Sequence, residues 1–193
     1  MPSKYVTRNM TSHQMTHTQQ RRATYDDVPA LKRLMEAAIC DLMRDFLTAE
    51  QIVASFAIMG LDTRLIDDGT YFVIESEGRL AGCGGWSRRA TLFGGDHSDG
   101  RNDELLDPTR LAARIRAMYT HPDFVRRGVG RSILARCEGE AVSHGFRRLE
   151  LAATMAGIPL YRACGYSEVA YFLAETPSGV RVPLARMTKL LTG

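Results

Sequence analysis

Two glycines and three arginines stand close together in residues 125–131, which read V-R-R-G-V-G-R. Apolar residues recur at helical spacing from Val129 onward, so the glycines fall where a helix is expected to begin. The first amides of a helix have no intrahelical partner, and the helix dipole places positive charge beside them. Glycine lets an anion approach these amides, and arginine binds phosphate with two hydrogen bonds. The pattern therefore predicts a pyrophosphate cradle formed by Arg126, Arg127, Gly128, Val129, Gly130 and Arg131.

Taken alone, this glycine-arginine turn is equally compatible with a solvated loop before a crossover helix. It is not a P-loop, because the Lys-Ser/Thr pair of that motif is absent. It is not a dinucleotide fingerprint either, because Ile133 stands where G-x-G-x-x-G requires its third glycine. A second signal is needed to choose between these alternatives.

The second chemical candidate is the segment L-Y-R-A-C-G-Y, residues 160–166. It follows a predicted strand by a few residues, and Gly165 is expected to end a short helix there. Tyr161, on that helix, would point its phenol into a cleft. A tyrosine and a phosphate cradle in one domain form a more specific combination than either feature alone.

The surrounding patterns predict the elements that position these residues. Residues 113–120 alternate in hydrophobicity and predict a strand, which Pro122 ends. The helix that begins at the glycine turn is expected to stop at Gly145. A strand at 147–154 follows, and a final hairpin turns at 177–179.

The upstream half is predicted to supply a strand, two helices and two strands, at residues 21–24, 29–42, 48–60, 71–75 and 80–88. The order of all elements predicts a mixed sheet with helices on it, in the α/β (α+β) class. Three glycines weaken the last of these five elements and indicate a bulge or a close approach of another backbone, at Gly82, Gly84 and Gly85.

Composition excludes several classes of protein. The 193 residues carry a net charge of +3, with basic residues scattered among acidic ones, which disfavours nucleic-acid binding. No apolar run reaches the roughly 18 residues of a membrane span, and the first residues lack the pattern of a secretory signal. We therefore expect a cytoplasmic protein with neither a nucleic-acid nor a membrane partner.

Residues 1–20 are polar and show no periodicity, which predicts a disordered tail before a single domain at 21–193. His13 and His17 have the spacing of metal ligands on a helix, but no helical pattern surrounds them. The cysteines form no C-x-x-C pair and predict buried thiols rather than zinc or disulfides. We expect no metal. The four cysteines are Cys40, Cys83, Cys137 and Cys164.

With these residues in place, the chain resembles the GNAT superfamily of acetyl-CoA-dependent N-acyltransferases. The phosphate motif of that family reads R/Q-x-x-G-x-G/A, and V-R-R-G-V-G at 125–130 matches both glycines while Val125 departs from the first position. M-Y-T-H-P at 118–122 resembles the splayed fourth strand of the family, and L-Y-R-A-C-G-Y resembles its tyrosine segment. The resemblance extends in element order over most of residues 20–190.

The resemblance implies a mostly antiparallel sheet of six to seven strands with about four helices. It implies direct acetyl transfer from acetyl-CoA to a primary amine of a small molecule or peptide, through a tetrahedral intermediate. Backbone groups of Met118, Tyr119 and Thr120 would bind the pantetheine arm, and residues 126–131 the pyrophosphate. Tyr161 matches the general acid that protonates the departing thiolate. Homodimers are common in the family.

The sequence identifies neither the general base nor the acceptor amine. Glu75, His121 and Glu150 are alternative general bases, and a water chain is a further alternative. The acceptor pocket would lie among residues 40–60, Trp86 and the 90–110 loop. Its acidic side chains would either recognise a cationic amine or be solvated: Asp41, Asp45, Asp96 and Asp99. A non-catalytic acyl-CoA-binding or sensing module on the same fold is the rival to the enzyme.

Overall fold

Seven strands form one mixed sheet in the computed structural model, which describes residues 18–99 and 101–191. Their spatial order is β1-β2-β3-β4-β5-β7-β6, and every neighbouring pair is antiparallel except β4 with β5. The predicted mixed, mostly antiparallel sheet is thereby confirmed. The strands are β1 (Gln19–Arg22), β2 (Tyr71–Ser76), β3 (Arg79–Ser87), β4 (Ala113–Thr120), β5 (Arg148–Thr154), β6 (Ser167–Glu175) and β7 (Arg181–Leu190).

Helices cover both faces of this sheet. Within the described residues they are α1 (Val28–Leu42), α2 (Ala49–Ser55), α3 (Arg64–Asp67), α4 (Val129–Ser143) and α5 (Ile158–Ala163). Alternation along β2 assigns the faces, because Phe72 packs in the cluster with α4 whereas Val73 packs in the cluster with α1. No helix in the described ranges is long and apolar enough to cross a membrane.

The first strand begins earlier than the sequence pattern predicts. β1 pairs with β2 from Gln19 to Arg22, so its bounds follow the partner strand and lie two residues before the predicted 21–24. Thr24 instead forms a capping box with Asp27 at a short 3-10 helix. Residues 1–17, most of the predicted tail and both of its histidines, lie outside the described part of the chain.

A bulge changes which side chains of β4 share a face. Ala117 has a φ of 49°, and the register with β3 shifts opposite it, between Cys83 and Gly85. A bulge inserts one residue and thereby inverts the alternation beyond it. Ile115 therefore packs on the α4 side while Tyr119 packs on the α1 side, although strict alternation would place both on one face.

The glycines of β3 allow α4 to lie close against the sheet. A Cβ at Gly82 would overlap Val129 Cγ1 at the start of α4 and lie 3.0 Å from the Tyr119 carbonyl oxygen. The predicted close approach at these glycines is therefore present, and it brings the first turn of α4 against the end of β4.

We expect the substitution Gly82→Ala to destabilise the fold by about 2 kcal/mol, because the added methyl group meets a branched side chain and a backbone oxygen. The measurement is urea unfolding. Gly139→Ala is the matched control: it lies in α4 with open space where its Cβ would be, so alanine should stabilise the helix by up to ~1 kcal/mol. Equal stability of the two variants would contradict the close-packing explanation.

Candidate functional site

A gap between two strands opens the sheet at its centre. β4 and β5 pair only at Ala113 with Leu149 and at Arg114 with Glu150, and then they diverge. A cavity of about 720 Å³ lies where they separate, lined by residues from both faces of the sheet. Beyond Arg114, no strand of the described residues pairs with the edge of β4 that faces β5, so an extended ligand can bind backbone groups there. The Ala117 carbonyl is already engaged, because it accepts from the Tyr71 hydroxyl at 3.1 Å.

The N-terminus of α4 lies at one end of this cavity. Gly128 is the N-cap, with a φ of 82° and no side-chain cap, so the amides of the first turn lack a capping partner. A Cβ at Gly128 would meet no atom within 4 Å, whereas one at Gly130 would lie 2.8 Å from Leu160 Cδ2. Gly128 thus provides the left-handed turn beside open space, and Gly130 provides the close contact with α5.

The predicted arginines separate into two groups. Arg126 and Arg131 line the cavity together with Gly128, Val129 and Gly130. Arg127 is not part of the lining: it pairs with Glu77 at 3.1 Å, and its guanidinium lies 5.1 Å from the centre of the Phe124 ring. Two full positive charges therefore accompany the helix terminus.

The end of β4 forms the middle of the cavity wall through Met118, Tyr119 and Thr120. The hydroxyl of Tyr119 accepts a hydrogen bond from the Gly60 amide at 3.0 Å, and burial raises the pKa of this phenol well above its ordinary value. Tyr119 is therefore a fixed neutral group whose hydroxyl connects β4 to the segment after α2.

Tyr161 of α5 lines the same cavity and is only 7% exposed. Its ring packs edge-on against Tyr166, with the ring centres 5.8 Å apart, and lies against Gly157, which has no side chain to displace it. Burial is the main cause that raises the pKa of Tyr161 well above that of a free phenol. The side chain is therefore protonated at neutral pH.

The opposite end of the cavity is apolar. Its wall comes from the end of α1, the segment after α2, the loop after β3, and β7: Leu42, Met43, Phe46, Ile58, Met59, Leu92, Phe93 and Leu184. Trp86, which was one candidate for this wall, is fully buried and packs against Phe146 instead. The 40–60 segment and the 90–110 loop do contribute, and the sequence missed the contribution of β7.

The candidate bases lie elsewhere. Glu150 is buried between Arg114 and Arg186, Glu75 pairs with Arg21, and the His121 ring nitrogen accepts from the amide of Asp123. The four acidic residues considered for cation recognition also stay outside the lining. Among the residues that the structure describes, no carboxylate or imidazole lines the cavity.

A buried ion cluster fastens the loop that follows β3. Asp62 is fully buried and contacts Arg116 of β4 at 2.9 Å and Arg101 of the loop at 2.5 Å. Arg116 also donates to the Gly94 carbonyl at 2.6 Å, and His97 Nε2 lies 2.7 Å from the Phe56 carbonyl. These contacts hold the loop segment that carries Phe93, the residue before Gly94, at the apolar end of the cavity.

The sequence model of the acetyltransferase (GNAT) family matches residues 32–166, which include the glycine turn and Tyr161. The chain belongs to the acetyltransferase (GNAT) family. That span begins in α1 and ends where β6 begins, so it contains the separating strands and every described residue of the cavity lining except Leu184. No curated protein matched the chain in sequence.

Solved GNAT structures share this fold at low sequence identity. A GCN5-related N-acetyltransferase from Rhodopseudomonas palustris is 19% identical with a TM-score of 0.68, over 93% of this chain and 100% of that one. PaiA N-acetyltransferase from Thermoplasma acidophilum, solved with coenzyme A, is 11% identical with a TM-score of 0.59, over 91% and 99%. The ribosomal-protein-S18-alanine N-acetyltransferase of Escherichia coli is 18% identical with a TM-score of 0.55, over 92% and 97%.

The sequence of this GNAT chain offered no signal for the Asp62 cluster or for Leu184. Asp62 follows Leu61 between α2 and α3, and its two arginine partners lie 39 and 54 positions further along the chain. Leu184 belongs to a strand whose alternation predicts burial but not which space it faces. Only the packing of α1, α2 and β7 around the strand gap identifies these residues.

Proposed function

We propose that the protein is an N-acetyltransferase that moves the acetyl group of acetyl-CoA directly to a primary amine. The proposal rests on one observation above all. An uncapped helix terminus with two arginines, an unpaired strand edge and a buried protonated tyrosine line one continuous cavity. A neighbour of the same fold that was solved with coenzyme A supports this choice of cosubstrate.

At the α4 end, the amides of Val129, Gly130 and Arg131 would hold the pyrophosphate, with Arg126 and Arg131 adding charge. The unpaired edge of β4 from Met118 to Thr120 would bind the extended pantetheine arm through backbone hydrogen bonds. Acetyl-CoA supplies the activated acyl group as its thioester. A backbone amide aimed at the thioester oxygen typically contributes ~3 kcal/mol to stabilising the developing charge.

The transfer step balances with Tyr161 as general acid. A neutral amine attacks the thioester carbon, a C–N bond forms and the C–S bond breaks. The leaving sulfur takes the phenolic proton of Tyr161, and the new amide nitrogen releases its proton toward solvent. Because burial keeps the pKa of Tyr161 high, the proton is present throughout the neutral range.

The amine must be neutral to attack, and no carboxylate or imidazole among the described cavity residues accepts its proton. An apolar surrounding disfavours the charged form and so lowers the pKa of a bound ammonium. We therefore assign the loss of the ammonium proton to the apolar surroundings, which lower the pKa of the ammonium, and to water, which accepts the proton. Glu75, His121 and Glu150 have no part in this step.

The test is thiol release from acetyl-CoA with a panel of primary amines between pH 6 and pH 9. We expect kcat/KM for the amine to rise about 10-fold per pH unit, because free amines have a pKa of ~10 and the neutral fraction grows with pH. Tyr161 would lose its proton only above its raised pKa, so it causes no decline in this window. A plateau above pH 7 would indicate a side-chain base instead, and calorimetric binding of acetyl-CoA without transfer would favour the sensing module.

A further inference from the structure

The apolar end of the cavity bears on the identity of the acceptor. Phe46 and Phe93 stand at its mouth, 49% and 37% exposed, while Ile58 and Met59 lie buried behind them. The Phe93 ring also contacts Phe172 of β6, with the ring centres 5.8 Å apart. A row of aromatic and aliphatic side chains thus remains partly open to solvent beside Tyr161 and the end of β4.

The polar side chains that line the cavity near this end already make internal contacts. Arg116 is bound to Asp62 and to the Gly94 carbonyl, and the Tyr119 hydroxyl accepts from the Gly60 amide. Asp62 is itself fully buried and also forms an ion pair with Arg101. Among the described residues, no carboxylate lines the cavity, and the two arginines assigned to the pyrophosphate, Arg126 and Arg131, lie at its α4 end. A ligand that brought a second ammonium or a carboxylate against the apolar wall would therefore meet no side chain of opposite charge there, and burying an unpaired charge is costly.

We infer that the acetyl acceptor is a small primary amine whose only other substantial group is apolar, either an aromatic ring or a branched alkyl chain. The inference rests on the proposed function, because it assigns the substrate class of the same cavity. The apolar group lies against Phe93 and Phe46, and the amino group points toward the end of β4. Diamines and amino acids are excluded by the charge that they would bury.

The 90–110 loop is a positioning element for this subsite. Arg116 binds the carbonyl of Gly94, which follows Phe93 directly, and Arg101 joins the loop to the same carboxylate of Asp62. The ion cluster thereby holds the backbone next to Phe93 in place. Selectivity for the amine thus depends on the placement of this loop.

The experiment compares four amines with acetyl-CoA: 3-methylbutylamine, 1,4-diaminobutane and β-alanine, which are matched in size, and the larger 2-phenylethylamine. Initial rates of thiol release give kcat/KM for each, and mass spectrometry identifies the N-acetyl product. We expect the two apolar amines to exceed the diamine and the amino acid by at least ~100-fold, because each of the latter buries an unpaired charge. A kcat/KM for 1,4-diaminobutane or β-alanine that equals or exceeds the values for the two apolar amines would overturn the inference.

Two phenylalanine variants test the assigned wall. Phe93→Ala should raise KM for 2-phenylethylamine about 10-fold, with KM for acetyl-CoA unchanged, since a lost apolar contact of this size discriminates by roughly that factor. Phe56→Ala is the matched control, because Phe56 is 38% exposed and does not line the cavity. An unchanged KM for the amine in Phe93→Ala, or an equal rise in Phe56→Ala, would contradict the assignment.

Failure of this inference differs from failure of the proposed function. Transfer to 1,4-diaminobutane or β-alanine in preference to the apolar amines would overturn the acceptor class and leave the acetyltransferase in place. Transfer to none of the four amines but to another amine of the panel would overturn the acceptor class alone, and binding of acetyl-CoA in calorimetry without transfer to any amine of the panel would overturn both. Transfer to the apolar amines with the expected selectivity supports both.

Discussion

The substitution Tyr161→Phe is expected to lower kcat for acetyl transfer by about 100- to 1,000-fold, the usual contribution of a positioned general acid. Without the phenol, the sulfur must leave as an unprotonated thiolate or take its proton from water. The ring stays, so its edge-on contact with Tyr166 and its place against Gly157 are retained. Thermal stability and KM for acetyl-CoA should therefore change little. The measurement is steady-state thiol release, with stability followed by differential scanning calorimetry.

Tyr166→Phe is the control for this effect. Tyr166 is the neighbouring buried tyrosine and loses the same single oxygen, yet it does not line the cavity. Its kcat should stay within about 2-fold of the parent protein, since general acid catalysis needs contact with the reacting group. If Tyr161→Phe retained full activity, or if both variants lost activity equally, the acid role would be wrong.

The second large effect is expected at the helix terminus. Gly128→Glu should weaken acetyl-CoA binding by at least ~100-fold, equivalent to ~2.7 kcal/mol. Its side chain would enter the open space beside the uncapped amides, where the carboxylate would compete with the pyrophosphate for the positive end of α4. Isothermal titration calorimetry measures the affinity, and the stabilisation of the protein by acetyl-CoA should disappear with it.

Gly179→Glu controls for backbone strain. Gly179 has a φ of 78° and nothing within 4 Å of its Cβ position, as at Gly128, but it lies in the turn between β6 and β7. Both substitutions cost roughly 1–2 kcal/mol of stability through the left-handed conformation. Only Gly128→Glu should change the affinity for acetyl-CoA. An equal loss of affinity in both variants would assign the effect to strain and remove the case for a phosphate cradle.

The local patterns of the chain were sufficient for most of the fold. The helical period from Val129 and the stop at Gly145 correspond to α4, which ends within two residues of that glycine. The alternation of 113–120 corresponds to β4 with the same bounds. These features depend on neighbouring residues alone, which is why periodicity detects them. The single-turn helix α3 is too short to have a period, and it was missed.

The candidate site can be proposed from the sequence where its residues are close along the chain. Gly128, Arg126 and Arg131 belong to one turn, and Tyr161 belongs to a recognisable segment, so local sequence is sufficient to propose them as candidates. Arg127 carried the same expectation and instead pairs with Glu77, because neighbouring residues of a turn point in different directions. Spacing in sequence does not decide such a direction.

The sequence by itself determined the order of the elements, the helix terminus able to hold an anion, and the resemblance to an acyltransferase family. Only the tertiary structure decided that a bulge at Ala117 inverts β4, that β4 and β5 separate after two pairs, and that Trp86 is core. It also decided that the cavity end away from α4 is apolar, and that the four acidic side chains whose role the sequence left open lie outside the lining. The reason is physical. The apolar cavity wall is assembled from α1, the segment after α2, the loop after β3, and β7. Which side chains meet there depends on packing between segments that are distant in the chain.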